Sequence, residues 1–356
     1  MFRAIHFEWH EAVAASLVAF VCVMMLSFRN GWWHARTVRD IHQVHSTHIN
    51  PTPRLGGVAI LSACLLLILF HDGYFADRYV TFVISVTPLA VVCLWEDMIR
   101  QTHYSLRLLA TVVSITLSIA LLDVHLSRIG ISEIDPWMGG AFGVAMTIAY
   151  ITAAVNGMNM IDGLNGLAGL YSASALAAMS ILAGMVDYHF MAHISMTLAV
   201  SIASFLFFNF PVARLFLGDT GTYLIGYILG WFSISIINRE SDVSPLALFL
   251  ILVYPLFEVV FTFARRTVSH NSPFGADKLH LHHMILRLVE DVRGSVSEKS
   301  HWNNPIATLL TTPPAIGPMF YAVSFYNDTF ALLIGVLSYG VINSTLYYFL
   351  WRRYAQ

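Results

Sequence analysis

Charge is what this chain has least of. Only 11% of its 356 residues are Asp, Glu, Lys or Arg, while 57% are hydrophobic; soluble domains carry about 25% charged residues. So few charges cannot cover a water-facing surface, which excludes a soluble globular protein and leaves an integral membrane protein. The apolar–polar alternation of outer-membrane barrel strands is missing too. The apolar runs are continuous and 16–23 residues long, as bilayer-crossing helices require. Cysteine is scarce: Cys22, Cys64 and Cys93 all lie inside apolar runs and read as buried small residues without a disulfide. No repeat, low-complexity tract or linker interrupts the chain, so residues 1–356 read as one helical domain whose largest loop is 264–304. The net charge of −2 gives no pointer to nucleic acid, and none is expected as a partner. The N-terminus has the outline of a signal peptide. However, Arg3 stands alone against two Glu, and no small-residue cleavage site precedes the basic stretch 29–39, which predicts a retained first helix.

The pattern predicts an all-α polytopic protein with eleven spans: 12–28, 55–70, 79–95, 106–122, 138–155, 164–186, 190–211, 222–238, 245–263, 306–326 and 330–350. Placing the N-terminus outside puts 15 of the 19 Lys and Arg in inside loops and leaves only Arg3, Arg78, Arg128 and Arg239 outside. The positive-inside rule therefore sets the N-terminus outside and the C-terminus in the cytoplasm. Five polar segments then fall on the cytoplasmic face: His45 to Arg54, Glu96-Asp97, Asn156 to Asn165, Gly218 to Gly221, and His280 to His283. The orientation came from Lys and Arg alone, so this co-location independently supports one shared site.

Each segment has a chemistry and a plainer alternative. Adjacent helical residues point about 100° apart, so Glu96 and Asp97 do not share a face; one can meet a metal or substrate while the other ends the helix. Asn156, Asn159 and Asp162 are spaced by three along one drifting face. Amides donate and accept, and a carboxylate accepts or binds metal; the same stretch also reads as a glycine-rich helix contact through Gly163, Gly166 and Gly169. Asp162 interrupts two apolar runs, and an ionised residue there is a site candidate by default. Asp219, in Phe216-Leu-Gly-Asp-Thr-Gly221, suits a cation and a phosphate together, or caps the following helix. His280, His282 and His283 suit zinc or phosphate, and spacing does not separate the two. Glu258 lies within a span, two turns from Arg265 and Arg266; it is functional or pairs with one of them. A short amphipathic helix is expected at 279–290.

Taken together, these segments resemble the polyprenyl-phosphate N-acetylhexosamine-1-phosphate transferase superfamily, glycosyltransferase family 4. The resemblance runs in order from Asp40 to Leu286. It rests on Asp40 and His48 before Pro51-Thr-Pro-Arg-Leu-Gly-Gly57, Glu96-Asp97, Asn156-x-x-Asn-x-x-Asp-Gly163, Phe216-Leu-Gly-Asp-Thr-Gly221, Arg265-Arg266, and Ser272-Pro-Phe through His283. It implies transfer of a sugar 1-phosphate from a UDP-N-acetylhexosamine to a polyprenyl phosphate (undecaprenyl or decaprenyl), with release of UMP. Mg²⁺ is implied as cofactor, with Mn²⁺ as an allowed substitute, in a multi-pass plasma (inner) membrane protein whose site faces the cytoplasm. A homodimer is left open.

By the same resemblance, Asp97 is base or nucleophile at the lipid phosphate. Asp219 is the metal ligand, with Asp162 a second one. Asn156, Asn159 and Asp162 line the nucleotide and diphosphate side, and the three histidines contact the diphosphate or sugar. Glu96 joins the catalytic set, and His48, Arg54, Asn165, Arg265 and Arg266 the substrate-binding set. Glu96, Asn165 and Glu258 each stand where Asp is usual. If Asn165 only hydrogen-bonds the nucleotide, Asn165→Asp is tolerated or activating. The histidine pattern, not three in a row, leans away from the peptidoglycan-precursor branch and its phospho-N-acetylmuramoyl-pentapeptide donor. An ion-coupled transporter built on Asp162, Asp219 and Glu258 is the reading from another class, and an inactive relative acting as scaffold is a third.

Overall fold

The computed structural model describes residues 14, 21, 52–69, 74–99, 102–268, 279–293 and 302–354; these are helical or loop, with no strand among them. In chain order the helices are α1 (Gly56–Leu66, continued by a 3₁₀ turn Leu67–Leu69), α2 (Tyr74–Ile99), α3 (Tyr104–Leu122), α4 (Ala141–Ile161), α5 (Leu167–Met185) and α6 (His189–Asn209). They continue with α7 (Gly218–Arg239), α8 (Pro245–Ile251), α9 (Val253–Val268), α10 (Leu281–Arg293), α11 (Asn303–Ser324) and α12 (Thr329–Tyr354). By length and composition, eight of these, α2 to α7 with α11 and α12, are able to cross a membrane. Each overlaps an expected span, and the chain is a polytopic membrane protein.

Two expected spans take another form. The stretch 55–70 is the short helix α1 and its 3₁₀ turn. The stretch 245–263 is broken into α8 and α9, which meet at 75°. Pro255 accounts for the break, because it has no N–H for the carbonyl of Ile251 four residues earlier. Tyr171 donates its hydroxyl to that carbonyl at 2.7 Å instead. The expected span 12–28 lies outside the described residues apart from 14 and 21.

The bundle is organised around α7, in which nearly every residue from Gly218 to Ile237 is buried. Close approach makes this burial feasible. A Cβ on Gly226 would stand 2.6 Å from Val155 Cα, and one on Gly230 3.2 Å from Ile151 Cγ1, so the two glycines, four apart, admit α4. Gly157 admits α9 in turn: its Cβ would meet the Pro255 carbonyl oxygen at 2.4 Å. Lipid offers no hydrogen bonds, so polar groups inside must satisfy one another. Ser85, Ser118 and Tyr227 form a hydroxyl chain with 2.5 Å links, and Tyr227 donates on to the Ser114 carbonyl at 2.9 Å. The Leu89 N–H, just past Pro88, donates to Ser114 Oγ at 3.1 Å. These bonds pin α2, α3 and α7 together. Cys64 and Cys93 are free and buried, as expected.

Outside the spans, α10 is the expected amphipathic helix. Leu281, Met284, Ile285, Leu286 and Val289 are buried, and the helix lies against α11 and α12.

Candidate active site

Two motifs about 160 residues apart are joined through their backbones. Phe216 N donates to the Pro53 carbonyl at 2.8 Å, Gly56 N to Phe216 O at 2.9 Å, and Gly57 N to Leu217 O at 2.8 Å. The approach requires glycine: a Cβ on Gly57 would lie 2.3 Å from Gly221 N. Gly218 adopts φ +75, and a Cβ there would meet Arg54 O at 2.5 Å and the Asp97 carboxylate at 2.8 Å. Chain entering α1 and chain entering α7 thus form one unit, with Arg54 half-buried at its edge.

Asp97 locks that unit to the end of α2. It is 2% exposed. Its Oδ1 accepts the backbone N–H of Asp219 at 2.8 Å, and its Oδ2 that of Thr220 at 2.8 Å. The first N–H groups of a helix lack intrahelical partners and carry the positive end of its dipole. Asp97 therefore caps α7 from another helix, with both oxygens engaged. Asp219, free of any capping duty, turns its carboxylate to an ion pair with Arg107 on α3. Glu96 points away, as adjacent helical residues must: its Oε2 accepts from Thr102 N at 2.9 Å and from the Thr102 hydroxyl, closing the α2–α3 turn.

The amides sit on the last turns of α4. Asn156 Oδ1 accepts from the Tyr104 hydroxyl at 3.1 Å, and Asn159 Oδ1 from the Thr222 hydroxyl at 3.2 Å. Asp162 follows at the C-cap of α4. Gly166 adopts φ +79, a left-handed conformation suited to glycine, and donates its N–H to Asn209 Oδ1 at 2.7 Å.

Asn165 is held on three sides. Its N–H donates to Asn304 Oδ1 at 2.8 Å, its Nδ2 donates to Pro211 O at 3.0 Å, and its carbonyl accepts from Thr308 at 2.8 Å. These contacts reverse the tolerance expected of Asn165→Asp, because a carboxylate oxygen would face the Pro211 carbonyl with no hydrogen between them. The variant should lose about 1–3 kcal/mol, the cost of a buried polar group left unpaired. Thermal unfolding in detergent checks this, and a midpoint equal to the parent's would contradict it.

The histidines come from the start of α10. The His282 and His283 rings lie with centroids 4.2 Å apart. A Cβ on Gly163 would meet His282 Nε2 at 2.3 Å and His283 Cε1 at 2.6 Å, so the rings abut the residue next to Asp162. Neither ring nitrogen of the fully buried His282 has a hydrogen-bond partner among the described residues. Burial and the neighbouring His283 and His280 hold its imidazole well below the ordinary range, so it is neutral. Glu258 Oε2 lies 3.1 Å from His280 Nδ1, so its carboxylate goes to the histidine segment rather than awaiting an arginine. Arg265 and Arg266 end α9, Arg266 buried one turn beyond Thr262. His48, Asp40 and Ser272-Pro273-Phe274 lie outside the described residues.

Electrostatics tie the carboxylates together. Burial pushes the Asp162 carboxyl up to about 8; Arg54 opposes the shift, and the like charges of Asp219 and Asp97 add to it. No described group of three His, Cys, Asp or Glu side chains encloses a metal position. Mg²⁺ commonly takes only one or two carboxylates, completing its shell with substrate phosphates and waters. Asp162 and Asp219 are hard oxygen donors under mutual repulsion, which suits a cation that arrives with a diphosphate.

Sequence reasoning passed over Arg107, Tyr104, Asn209 and Asn304. Arg107 entered only as one inside-loop charge among fifteen, although its place ten residues after Asp97 was a usable signal. Nothing local marked the two asparagines as clamps.

Glycosyl transferase family 4 matches residues 79–237 of this chain. The decaprenyl-phosphate N-acetylglucosaminephosphotransferase of Mycolicibacterium smegmatis is 27% identical over 318 residues, spanning 79% of this chain and 77% of its own. The enzyme of that name from Mycobacterium tuberculosis is 28% identical over 352 residues, spanning 88% and 82%. The undecaprenyl-phosphate alpha-N-acetylglucosaminyl 1-phosphate transferase of Thermotoga maritima is 29% identical over 243 residues, spanning 68% and 71%. The matched region holds Asp97, Asp162 and Asp219, the carboxylates that the fold gathers at one end of the bundle. On its motifs, its architecture and these likenesses, the chain is similar to glycosyl transferase family 4 across the bundle that carries the three carboxylates.

Proposed function

We propose that this chain is an enzyme that transfers N-acetylhexosamine 1-phosphate, with N-acetylglucosamine the favoured sugar, from its UDP derivative to a polyprenyl phosphate. The observation that carries this is the gathering of Asp97, Asp162, Asp219, Arg54, Arg107 and the histidines at one end of an apolar bundle. The donor is water-soluble and the acceptor has a hydrocarbon tail, so they meet only at a membrane edge. The names of the relatives support the N-acetylglucosamine branch over the peptidoglycan-precursor branch. An ion-coupled transporter needs polar groups on both sides of the midplane. Here the groups described in the bundle interior are neutral hydroxyls, and the buried carboxylates Asp97, Asp219 and Glu258 stand at one end.

In the reaction, an oxygen of the acceptor phosphate attacks the sugar-bearing phosphorus of the donor. The bond from that phosphorus to the bridging oxygen breaks, and UMP leaves with the oxygen. A phosphate monoester is largely doubly ionised at neutral pH, so no strong base is needed; alignment and charge compensation dominate. Arg54 and Arg107 offset the anions, Asn156 and Asn159 border the nucleotide side, and His282 and His283 face the donor diphosphate beside Gly163. Asp162 and Asp219 would hold Mg²⁺, which supplies charge neutralisation at the transferring phosphoryl group. Asp97 holds the loop that carries Asp219 in place. The topology we propose has eleven spans, the N-terminus outside, and this site at the cytoplasmic face of the plasma membrane.

The test is purified protein with labelled UDP-N-acetylglucosamine, Mg²⁺ and polyprenyl phosphate. Lipid-linked sugar diphosphate formed together with UMP is expected. No product from any UDP-N-acetylhexosamine, under conditions where a relative is active, would overturn the reading.

A further inference from the structure

The transfer chemistry above gives no part to Glu258, yet its surroundings are built with care. The residue is 3% exposed on α9. Its Oε2 lies 3.1 Å from His280 Nδ1, and its Oε1 accepts the backbone N–H of Leu281 at 3.0 Å. Leu281 is the first residue of α10, so one carboxylate both caps that helix and holds the ring just before it. A carboxylate oxygen accepts hydrogen bonds, so Nδ1 of His280 is the donor in this pair and the ring is held in one orientation. Thr262 Oγ1, one turn along α9 from Glu258, lies 3.4 Å from the same nitrogen.

A second helix grips the same segment. The Tyr347 hydroxyl of α12 donates to Leu279 O at 3.0 Å, and its ring packs on Phe261 of α9 at 4.7 Å between centroids. Residues 279, 280 and 281 are therefore each held by a named bond from α9 or α12. The orientation passes along the cluster: the His280 ring lies parallel to His282, at 3° with centroids 5.7 Å apart, and His282 touches His283 against Gly163.

We propose that Glu258 is a positioning residue for sugar-phosphate transfer: with Tyr347 it sets the His280 ring and the start of α10, and so aims His282 and His283 at the donor diphosphate. This rests on the reading that those histidines contact the donor.

The experiment uses the full chain in lipid nanodiscs, with steady-state kinetics in UDP-N-acetylglucosamine and thermal unfolding on the same samples. Glu258→Gln keeps the size but cannot accept from both donors. Its kcat should fall about 10²-fold, the scale of a small misplacement of reacting groups, with KM changed less than about 3-fold, the signature of an interaction made in the transition state. Glu258→Asp should recover part of the loss. Adding His280→Ala to Glu258→Gln should cost little more, since coupled residues are not additive. If Glu258→Gln does not fold, Tyr347→Phe decides the matter: it keeps the ring, removes the hydroxyl that holds Leu279 O, and should lower kcat with KM unchanged. Wild-type kcat in Glu258→Gln, alongside inactive His282→Ala, would overturn the proposal and leave the histidine reading standing. Fully additive losses, or losses that only track the amount of folded protein, would overturn it as well. Full activity in both His282→Ala and His283→Ala would instead remove the histidine reading and this inference with it.

Discussion

Asp97→Ala should lose both turnover and stability, and the second loss is the informative one. Each Asp97 oxygen accepts a buried backbone N–H at the start of α7. Removing the carboxylate strands two donors at about 1–3 kcal/mol each, or about 2–6 kcal/mol in all. Asp97→Asn should fare little better, because its NH₂ must face one of those N–H groups. The loop held by Asp97 carries Asp219, so activity per folded molecule should drop at least about 10²-fold through misplacement alone. A residue serving only as base or nucleophile would lose activity with its unfolding midpoint unmoved. Denaturation of the ligand-free protein, set beside a single-turnover assay, separates these roles. An unchanged midpoint in Asp97→Ala would contradict the capping role.

Asp219→Ala is expected to abolish Mg²⁺-dependent transfer while the bundle remains assembled. Two effects combine. The hard oxygen proposed for the cation is lost, and Arg107 is left without its partner; the pair is largely buried, with side chains 18% and 12% exposed. Breaking a buried pair costs up to about 3–5 kcal/mol, with less expected here because water reaches both groups. Replacing both members, Arg107→Gln with Asp219→Asn, should restore much of the stability without restoring turnover. That outcome would separate what the pair contributes to stability from what its two members contribute to chemistry. Binding of Mn²⁺ followed by electron paramagnetic resonance gives a readout apart from activity, and unchanged Mn²⁺ affinity in Asp219→Ala would place the cation elsewhere.

Much of this arrangement was legible in the residues. Composition named the solvent, the length of the apolar runs named the helices, and Lys and Arg placed the five polar segments on one side. The contact between Gly163 and the histidines is the structural form of that last expectation. What could not be read was which polar group satisfies which. Asp97, Asn165 and Glu258 all stood out as polar residues in apolar surroundings, but each spends its hydrogen bonds on a partner more than twenty residues away. Periodicity reports the face of a helix and carries no information on what packs there. The break at Leu252 shows an intermediate case. Pro255 was visible, and its cost to a helix is general; the remedy, the Tyr171 hydroxyl on Ile251 O, exists only in three dimensions.

The most direct measurement is site-specific labelling of two residues, far apart in the chain, that the fold brings together beside Gly163. In a background with Cys22, Cys64 and Cys93 replaced by serine, Asp162→Cys and His283→Cys would each be exposed to a membrane-impermeant maleimide in vesicles of known orientation. A single pocket at the membrane edge predicts labelling of both from the cytoplasmic side, and protection of both by UDP-N-acetylglucosamine. Labelling of the two from opposite sides would show that these groups never meet.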